Sequence, residues 1–327
     1  MLSPVLFVLI RSLAIKVSLL DMPNERKYHQ NQTPLTGGIS IFLVSFLTLH
    51  FFFETISIDL FISLVCGGFM LTLGIIDDKL DLSAYKKLFF QSLITLTFIL
   101  LTDYDINDLG NPLGFSGPLE LGLLSVPFTL FAIIGLTNAI NMIDGCDGLA
   151  SSLIIISLLA ILIFETAELN NSDQFLLVFV SSLTVFLFFN FSNKKNIKIF
   201  LGDGGSLFLG FIVATSLVKF IGKNTHYDSS IVLWFSAIII FDFCAVIVIR
   251  KLQKRKIFTA DRNHIHHLLL SSGLSHFQTT ALISAFAVVL LLFGVTMTIN
   301  HPNLSLWVFF ALFLLYLLFR IFIKKAK

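Results

Sequence analysis

Charged residues are scarce in this sequence. Asp, Glu, Lys and Arg make up 13% of its 327 residues, whereas hydrophobic residues make up 56% and the mean hydropathy is +0.91. Soluble domains carry about 25% charged residues, so this composition excludes a water-soluble globule. The abundance of Phe and aliphatic side chains excludes a disordered chain. A formal net charge of only +2 leaves no broad basic surface, so we expect no nucleic-acid partner.

Cysteine is scarce too. The chain contains Cys66, Cys146 and Cys244, an odd number, and two of them lie inside apolar runs. Their number and spacing predict neither a disulfide framework nor a zinc site.

Long apolar runs are abundant instead. A bilayer core of ~30 Å requires about 20 apolar helical residues, within a working range of ~17–25. Eleven candidate stretches predict an all-α fold, a polytopic membrane helix bundle with about eleven transmembrane helices. Arg11 and Lys16 interrupt the first, which leaves an interfacial helix as its alternative, and we expect no cleaved signal peptide. The candidates are residues 2–20, 37–53, 60–76, 88–102, 121–137, 149–164, 174–191, 206–221, 230–249, 279–299 and 304–323.

Lys and Arg are distributed unevenly between the connecting loops. One alternating set of loops contains nearly all of them, whereas the other set contains only Lys223. Because cytoplasmic loops are enriched in Lys and Arg, this asymmetry predicts the N-terminus outside and the C-terminus in the cytoplasm. An odd number of spans agrees with that orientation.

The loops on the predicted cytoplasmic face also collect acids, amides and histidines. The opposite face carries acidic residues but no comparable mixture of groups. Five loops with complementary chemistry on one face predict one shared site within a single membrane domain, residues 1–327. These loops lie near residues 21–38, 77–87, 138–148, 192–206 and 250–278.

Two of these loops carry clustered acids. Asp77 and Asp78 are adjacent, and their mutual repulsion would be relieved by a cation or by a phosphate with its metal, although a solvated helix end is the alternative. Lys87, nine residues beyond Asp78, is either a phosphate contact or a membrane anchor. Asn141, Asp144 and Asp147 recur every three residues, so they share a face of a helix unless the glycines between them open a turn.

Asp203 lies among glycines directly before a predicted apolar helix. Glycine lets the backbone approach a ligand, and a helix N-terminus favours anions. A carboxylate there could also bind Mg²⁺ together with phosphate oxygens, or the segment could be a simple turn and cap. Phe200, three residues earlier, offers a ring that could stack on a base.

His264, His266 and His267 follow Arg262 in a basic loop. Structural zinc requires a convergent tetrahedral set, and no Cys accompanies these histidines. Arg and His are suitable donors to a diphosphate. The alternative is a basic patch that contacts anionic lipid.

These segments together resemble a known family, the polyprenyl-phosphate N-acetylhexosamine-1-phosphate transferases of glycosyltransferase family 4. The segments are DMPNERKYHQNQTPLTGG, IIDDKLDLSAYKKL, NAINMIDGCDGLA, FLGDGGS and DRNHIHH, in family order over residues 21–267. The first and last resemble the bacterial branch that uses UDP-GlcNAc.

The resemblance implies the transfer of a sugar-1-phosphate from a UDP-N-acetylhexosamine to undecaprenyl phosphate, with release of UMP and with Mg²⁺ or Mn²⁺ as cofactor. It places the site at the cytoplasmic face of a bacterial inner membrane and allows a homodimer. The reaction would be the first lipid-linked step of cell-envelope glycan synthesis, such as that of lipopolysaccharide or the cell wall.

The resemblance also implies roles for individual residues. Asp203 and Asn141 would hold the metal. Asp77, with Asp78 beside it, would orient or deprotonate the lipid phosphate; both roles stay open because a phosphate with a second pKa of ~6 is mostly anionic near neutral pH. The other residues expected to contact the phosphates, the uracil nucleoside or the sugar are Lys27, His29, Lys87, Asp144, Asp147, Phe200, Arg262, His264, His266 and His267.

Two other functions are compatible with parts of the pattern. Residues 77–81 also fit D-D-x-x-D, which is typical of a prenyltransferase that binds a prenyl diphosphate. That function would not explain the Asp203 and histidine segments. A transporter would place polar residues near the midplane of the membrane. Asp242 and Lys219 are the main residues of that kind, and the sequence gives neither a role.

Overall fold

Helices account for nearly all of the fold, because a backbone in a lipid environment must pair its polar groups within each segment. The computed structural model describes residues 2–21, 32–52, 56–114, 117–165, 171–194, 196–223, 227–255 and 263–326. Within them lie thirteen α-helices: α1 Leu2–Lys16, α2 Gly37–Phe52, α3 Ile58–Leu80, α4 Ala84–Thr102, α5 Ser125–Ile143, α6 Leu149–Phe164, α7 Asn171–Asn190, α8 Gly202–Lys223, α9 Ile231–Phe235, α10 Ala237–Leu252, α11 Ile265–Ser271, α12 His276–Asn300 and α13 Pro302–Ala326.

The predicted all-α class is confirmed, and each of the eleven apolar stretches contains a helix. Several bounds differ from the prediction. The ninth stretch is broken at Ser236 into α9 and α10, α4 and α8 each begin four residues before the stretch that predicted them, and α5 ends at Ile143, six residues after its stretch. Six helices are long and apolar enough to cross a membrane, namely residues 58–80, 84–102, 122–143, 202–222, 276–300 and 302–323. These spans, with three shorter apolar helices, define a multi-pass membrane protein.

Helix α8 forms the centre of the bundle. Of its most apolar stretch, 83% of the residues are buried inside the protein, against 17% for the corresponding stretch of α13. Helix α3 crosses α8 at close range, because a Cβ at Gly74 would collide with the backbone of Gly204. This close approach places the C-terminal end of α3 beside the N-terminal end of α8.

Polar side chains gather at both ends of the bundle. At one end, Asp108 accepts a hydrogen bond from Ser229 over 2.8 Å, and the Trp307 indole donates to Pro112 O over 2.7 Å. The other end, called the site end below, contains the C-terminal ends of α3 and α5 and the N-terminal ends of α4 and α8. Loops predicted to share one face therefore do share one end of the fold.

A short paired segment completes the site end. Strands β1 (Leu20–Asp21) and β2 (Thr33–Pro34) pair antiparallel. Beyond β2 the chain runs parallel to the segment before α8: Phe200 N donates to Pro34 O, and Gly37 N donates to Phe200 O, both over 2.9 Å. The start of α2 is thereby attached to the start of α8.

Candidate active site

The two adjacent acids at the end of α3 have different partners. Asp77 Oδ2 accepts a hydrogen bond from Lys87 Nζ over 2.6 Å, and Asp77 Oδ1 accepts one from Leu82 N over 2.9 Å. Helix α3 ends where Asp81 adopts a left-handed conformation, and α4 begins at Ala84. The chain therefore reverses between Asp77 and Lys87, which is why their spacing along a single helix did not predict this contact.

Asp78 binds the beginning of α8 instead. Its two carboxylate oxygens accept long hydrogen bonds from Asp203 N, at 3.3 Å, and from Gly204 N, at 3.4 Å. First-turn amide groups of a helix have no partner within the helix, so a carboxylate placed there stabilises the helix end. Asp78 thus joins α3 to α8 and fixes the position of Asp203.

Lys87 connects three of the predicted segments. Its ammonium lies 3.4 Å from Asn141 Oδ1 and 3.7 Å from Asp203 Oδ2, in addition to its contact with Asp77. Asn141 Nδ2 donates to Asp203 Oδ1 over 3.0 Å and to Ser206 Oγ over 2.8 Å. The Asp203 side chain is 42% exposed, against 8% for Asp77, so Asp203 is the carboxylate of this group that a substrate can reach.

An amide pair lies one helical turn deeper in the bundle. Asn138 Nδ2 donates to Gln91 Oε1 over 2.8 Å, and Gln91 Nε2 donates to Asn138 Oδ1 over 3.3 Å. Gln91 follows Lys87 by one turn of α4, and Asn138 precedes Asn141 by one turn of α5. The sequence analysis missed this pair, although two amides within apolar runs were a signal, because intramembrane polar groups need partners.

Asp144 lies in an opened turn rather than on a helix. Helix α5 ends at Ile143, so the regular spacing from Asn141 does not continue as one helical face. Burial, together with the negative charges of Asp203, Asp147 and Asp78, raises the pKa of Asp144 to about 8. The site end therefore holds more negative charge than its own cations offset.

This excess of carboxylates suits a divalent cation. Hard oxygen ligands are those that Mg²⁺ prefers, and Mg²⁺ usually takes only one or two carboxylates while phosphate oxygens and water complete its shell. Within the described ranges, no three His, Cys, Asp or Glu side chains converge as a ready-made cage. The residues fit an ion that arrives with a phosphate, and Asp203, whose side chain is 42% exposed, could serve as a ligand.

A second cluster surrounds Asp147. Lys198 Nζ lies 2.6 Å from Asp147 Oδ2 and 5.5 Å from the centre of the Phe200 ring. Asp147 N donates to His276 Nδ1 over 3.2 Å. The first residue of α12 is His276, and Ser275 and Gln278 form a capping box there. Lys198 and His276 were missed by the sequence analysis, and only the capping pattern around His276 pointed to that position.

The histidine segment, residues 263–267, packs against the turn that contains Gly145. His264 Nδ1 lies 2.7 Å from Asp242 Oδ2. His266 is fully buried against Gly145, where a Cβ would collide with its ring, and burial lowers its pKa. Neither ring nitrogen of His266 has a hydrogen-bond partner among the residues described. The His267 ring lies 4.1 Å from that of His266. His266 thus contacts the Asp144 turn, but as it stands it has no exposed surface for a substrate.

Three expected site residues cannot be compared with the structure, since Lys27, His29 and Arg262 lie outside the described residues. The two unassigned intramembrane charges both have neighbours. Asp242 contacts the histidine segment, and Lys219 Nζ lies 5.6 Å from the centre of the Tyr104 ring at the opposite end of the bundle.

Comparison with known proteins identifies the family of this membrane bundle. Residues 60–221 match the model of glycosyl transferase family 4. The chain belongs to this family, because named relatives align with it almost from end to end.

The relatives carry one name with small variations. The chain is 32% identical over 322 residues to the undecaprenyl-phosphate alpha-N-acetylglucosaminyl 1-phosphate transferase of Yersinia pestis, an alignment that covers 97% of this chain and 87% of that protein. It is 33% identical over 311 residues to the probable undecaprenyl-phosphate N-acetylglucosaminyl 1-phosphate transferase of Bacillus subtilis, covering 93% and 84%. The transferase of Escherichia coli strain K12 is 31% identical over 325 residues, covering 97% and 86%.

Proposed function

We propose that this protein transfers N-acetylglucosamine-1-phosphate from UDP-GlcNAc to undecaprenyl phosphate and releases UMP. The end-to-end similarity to transferases of that name supports the assignment. The observation that carries it is the contact of Lys87 with Asp77, Asn141 and Asp203, because it joins three separate segments into one site.

The chemistry requires compensation of negative charge. A phosphate of the lipid attacks the phosphate that carries the sugar, so two anions must approach each other. Preorganised cations that offset the developing charge are the main device for lowering such a barrier. Lys87 supplies one fixed positive charge. Asp203, with Asn141 beside it, would hold Mg²⁺ or Mn²⁺, which supplies the Lewis acidity and shields the diphosphate.

Asp77 positions Lys87 rather than acting as a base. Its buried carboxylate accepts hydrogen bonds from Lys87 Nζ and from Leu82 N, so it holds the ammonium of Lys87 in place. The acceptor phosphate is already mostly anionic near neutral pH, because its second pKa is ~6. Asp78 has a comparable positioning role at the N-terminus of α8.

The second cluster binds the nucleotide. The ring of Phe200 stacks on uracil, and Asp147 with Lys198 recognises the nucleoside. His264 and Arg262 contact the phosphates, while His266, His267, Lys27 and His29 act near the sugar or the diphosphate. Asp144, which lies within electrostatic range of Asp203, acts on the metal-binding side once the cation is bound.

The chain crosses the membrane eleven times as a single domain of residues 1–327, with the N-terminus outside and the C-terminus in the cytoplasm. The site end faces the cytoplasm at the inner membrane of a bacterium, where UDP-sugars are present. This orientation is tested with single cysteines at Lys194 and Asn303, in a background with Ser at the three native Cys positions. A membrane-impermeant thiol reagent applied to whole cells should label the Asn303 position alone.

Turnover is the test of the reaction. Purified protein in lipid nanodiscs receives undecaprenyl phosphate, Mg²⁺ and, in turn, UDP-GlcNAc, UDP-GalNAc and other UDP-hexosamines. We expect UMP release in equal amount to a lipid-linked sugar, fastest with UDP-GlcNAc, and a loss of activity in Asp203→Asn. Consumption of a prenyl diphosphate without UMP release would support the prenyltransferase instead, and solute flux without turnover would support a transporter.

A further inference from the structure

A buried ionic network lies behind the histidine segment. Asp242 of α10 and Arg320 of α13 are each only 1% exposed, and Arg320 Nη1 donates to Asp242 Oδ1. Tyr316 OH donates to the same carboxylate oxygen over 3.1 Å, and Arg320 Nη1 lies 2.6 Å from the Tyr316 hydroxyl. Ionised side chains within a membrane are costly and are usually retained for a function. None of these three residues belongs to the segments that predicted the site.

The network holds the histidine segment by its backbone and by one side chain. Asp242 Oδ1 accepts a hydrogen bond from Ile265 N over 2.9 Å, and Arg320 Nη2 donates to Asn263 O. Asp242 Oδ2 binds His264 Nδ1 at 2.7 Å. Three consecutive residues of the segment are therefore attached to two helices that otherwise contribute nothing to the site.

His264 is 4% exposed, and its contact with Asp242 fixes which of its two nitrogens remains available to another partner. An ionised carboxylate only accepts hydrogen bonds, so Nδ1 must carry the proton of that contact. His264 Nε2 makes no hydrogen bond to any residue that the structure describes. A carboxylate that orients a histidine in this way sets both its tautomer and the direction of its other nitrogen.

We propose that Asp242 and Arg320 are positioning residues of the active site, which hold His264 so that Nε2 contacts the diphosphate of the nucleotide sugar. Arg320 binds both the carboxylate and Asn263 O, so helix α13 takes part in holding the histidine segment. This inference rests on the proposed function, because it assigns the phosphate to that reaction.

The test compares two kinetic constants and one spectroscopic signal. Asp242→Asn removes the charge, Arg320→Lys keeps the charge but loses the forked donor geometry, and Tyr316→Phe removes one donor. Trp307→Phe, on the same helix at the opposite end, is the matched control for a general loosening of α13. Each variant is assayed for kcat and for the KM of both substrates, and its melting temperature and the ¹⁵N NMR signals of the His264 ring are recorded.

We expect Asp242→Asn to lower kcat/KM for UDP-GlcNAc about 10-fold or more, as is typical when the carboxylate partner of a functional histidine is removed. Arg320→Lys should retain an intermediate activity, and the KM for undecaprenyl phosphate should stay constant in both. The ¹⁵N signals of His264 should shift away from the Nδ1-protonated form in Asp242→Asn.

Other results overturn the inference. Unchanged kinetics and ¹⁵N signals in folded Asp242→Asn would do so. So would equal losses toward both substrates that follow the melting temperature, as in Trp307→Phe, since that pattern indicates stability alone. If the wild-type protein itself shows no turnover, the proposed function fails, and the ¹⁵N signals alone still decide whether Asp242 orients His264.

Discussion

The ammonium of Lys87, on α4, lies 2.6 Å from the carboxylate of Asp77, on the preceding helix α3, across a reversal of the chain. The same ammonium also faces Asn141 and Asp203. One cation thus joins three segments and offsets the repulsion between the carboxylates of Asp77 and Asp203. Loss of this cation should affect the site far more than loss of a neighbouring surface charge.

Lys87→Met tests that statement. The substitution keeps the length of the side chain but leaves Asp77 buried without its cation. Because removal of one preorganised electrostatic group typically costs 10²–10³ in kcat, we expect a loss of about 100-fold or more. Lys86→Met is the control, since Lys86 is exposed on the same turn of α4, and its activity should stay near that of the wild type. Similar activities in the two variants would contradict the assignment.

Asp144→Asn should stabilise the protein while it impairs the reaction. The pKa of Asp144 is raised to about 8 in the folded state, whereas an unfolded Asp titrates near ~3.9. Between these values the folded state holds a proton that the unfolded state has released, so the free energy of unfolding falls as the pH rises. Asn carries no charge, so it avoids the free-energy cost of ionising a buried carboxylate.

The melting temperature of Asp144→Asn should therefore exceed that of the wild type by an amount that grows from pH 5 to pH 8, measured without divalent cations. Asp103→Asn, which removes an exposed carboxylate at the opposite end, serves as the control. A constant difference in melting temperature across this pH range would show that ionisation of Asp144 does not destabilise the folded state.

Gly74→Ala tests the contact between α3 and α8. The new Cβ would collide with the backbone of Gly204, so the helices must separate and Asp78 must move away from Asp203 N. Overpacking of this kind typically costs ~1–3 kcal/mol. We expect a lower melting temperature and a larger loss of turnover. In the control Gly135→Ala the new Cβ has open space around it, so the melting temperature and the turnover should stay near those of the wild type. Equal melting temperatures and turnover in the two variants would contradict the close approach of α3 and α8.

Phe200→Leu tests the nucleotide side. If the ring stacks on uracil, its loss should raise the KM for UDP-GlcNAc about 10-fold, because stacking on an aromatic side chain is worth ~1–3 kcal/mol per base. The KM for undecaprenyl phosphate should not change. Lys198→Met, which removes the partner of Asp147, should act in the same direction. An unchanged KM for the UDP-sugar in both variants would remove this cluster from the nucleotide site.

The sequence predicted the fold class and the segments that meet, because both depend on local patterns. Apolar length predicted the helices, and the distribution of Lys and Arg predicted which loops share one end. The break at Ser236 and the early start of α8 were not predicted. A window of hydropathy detects neither a single break nor the first polar turn of a helix.

The contacts within the site were harder to predict. Lys87 reaches Asp77 only because the chain reverses after Asp81, and the sequence contains no measure of that reversal. The network of Asp242 and Arg320 joins residues 78 positions apart, so no motif could contain it. The structure has an opened turn where the spacing of Asn141, Asp144 and Asp147 allowed a shared helical face. The glycines there were the signal for this turn.

The transfer of phosphate together with the sugar is the central claim, and UDP-GlcNAc labelled with ³²P in its β-phosphate tests it most directly. In nanodiscs with undecaprenyl phosphate and Mg²⁺, we predict that the label enters the lipid fraction and that unlabelled UMP is released. Release of labelled UDP, with sugar but no label in the lipid, would mean transfer of the sugar alone and would contradict the account.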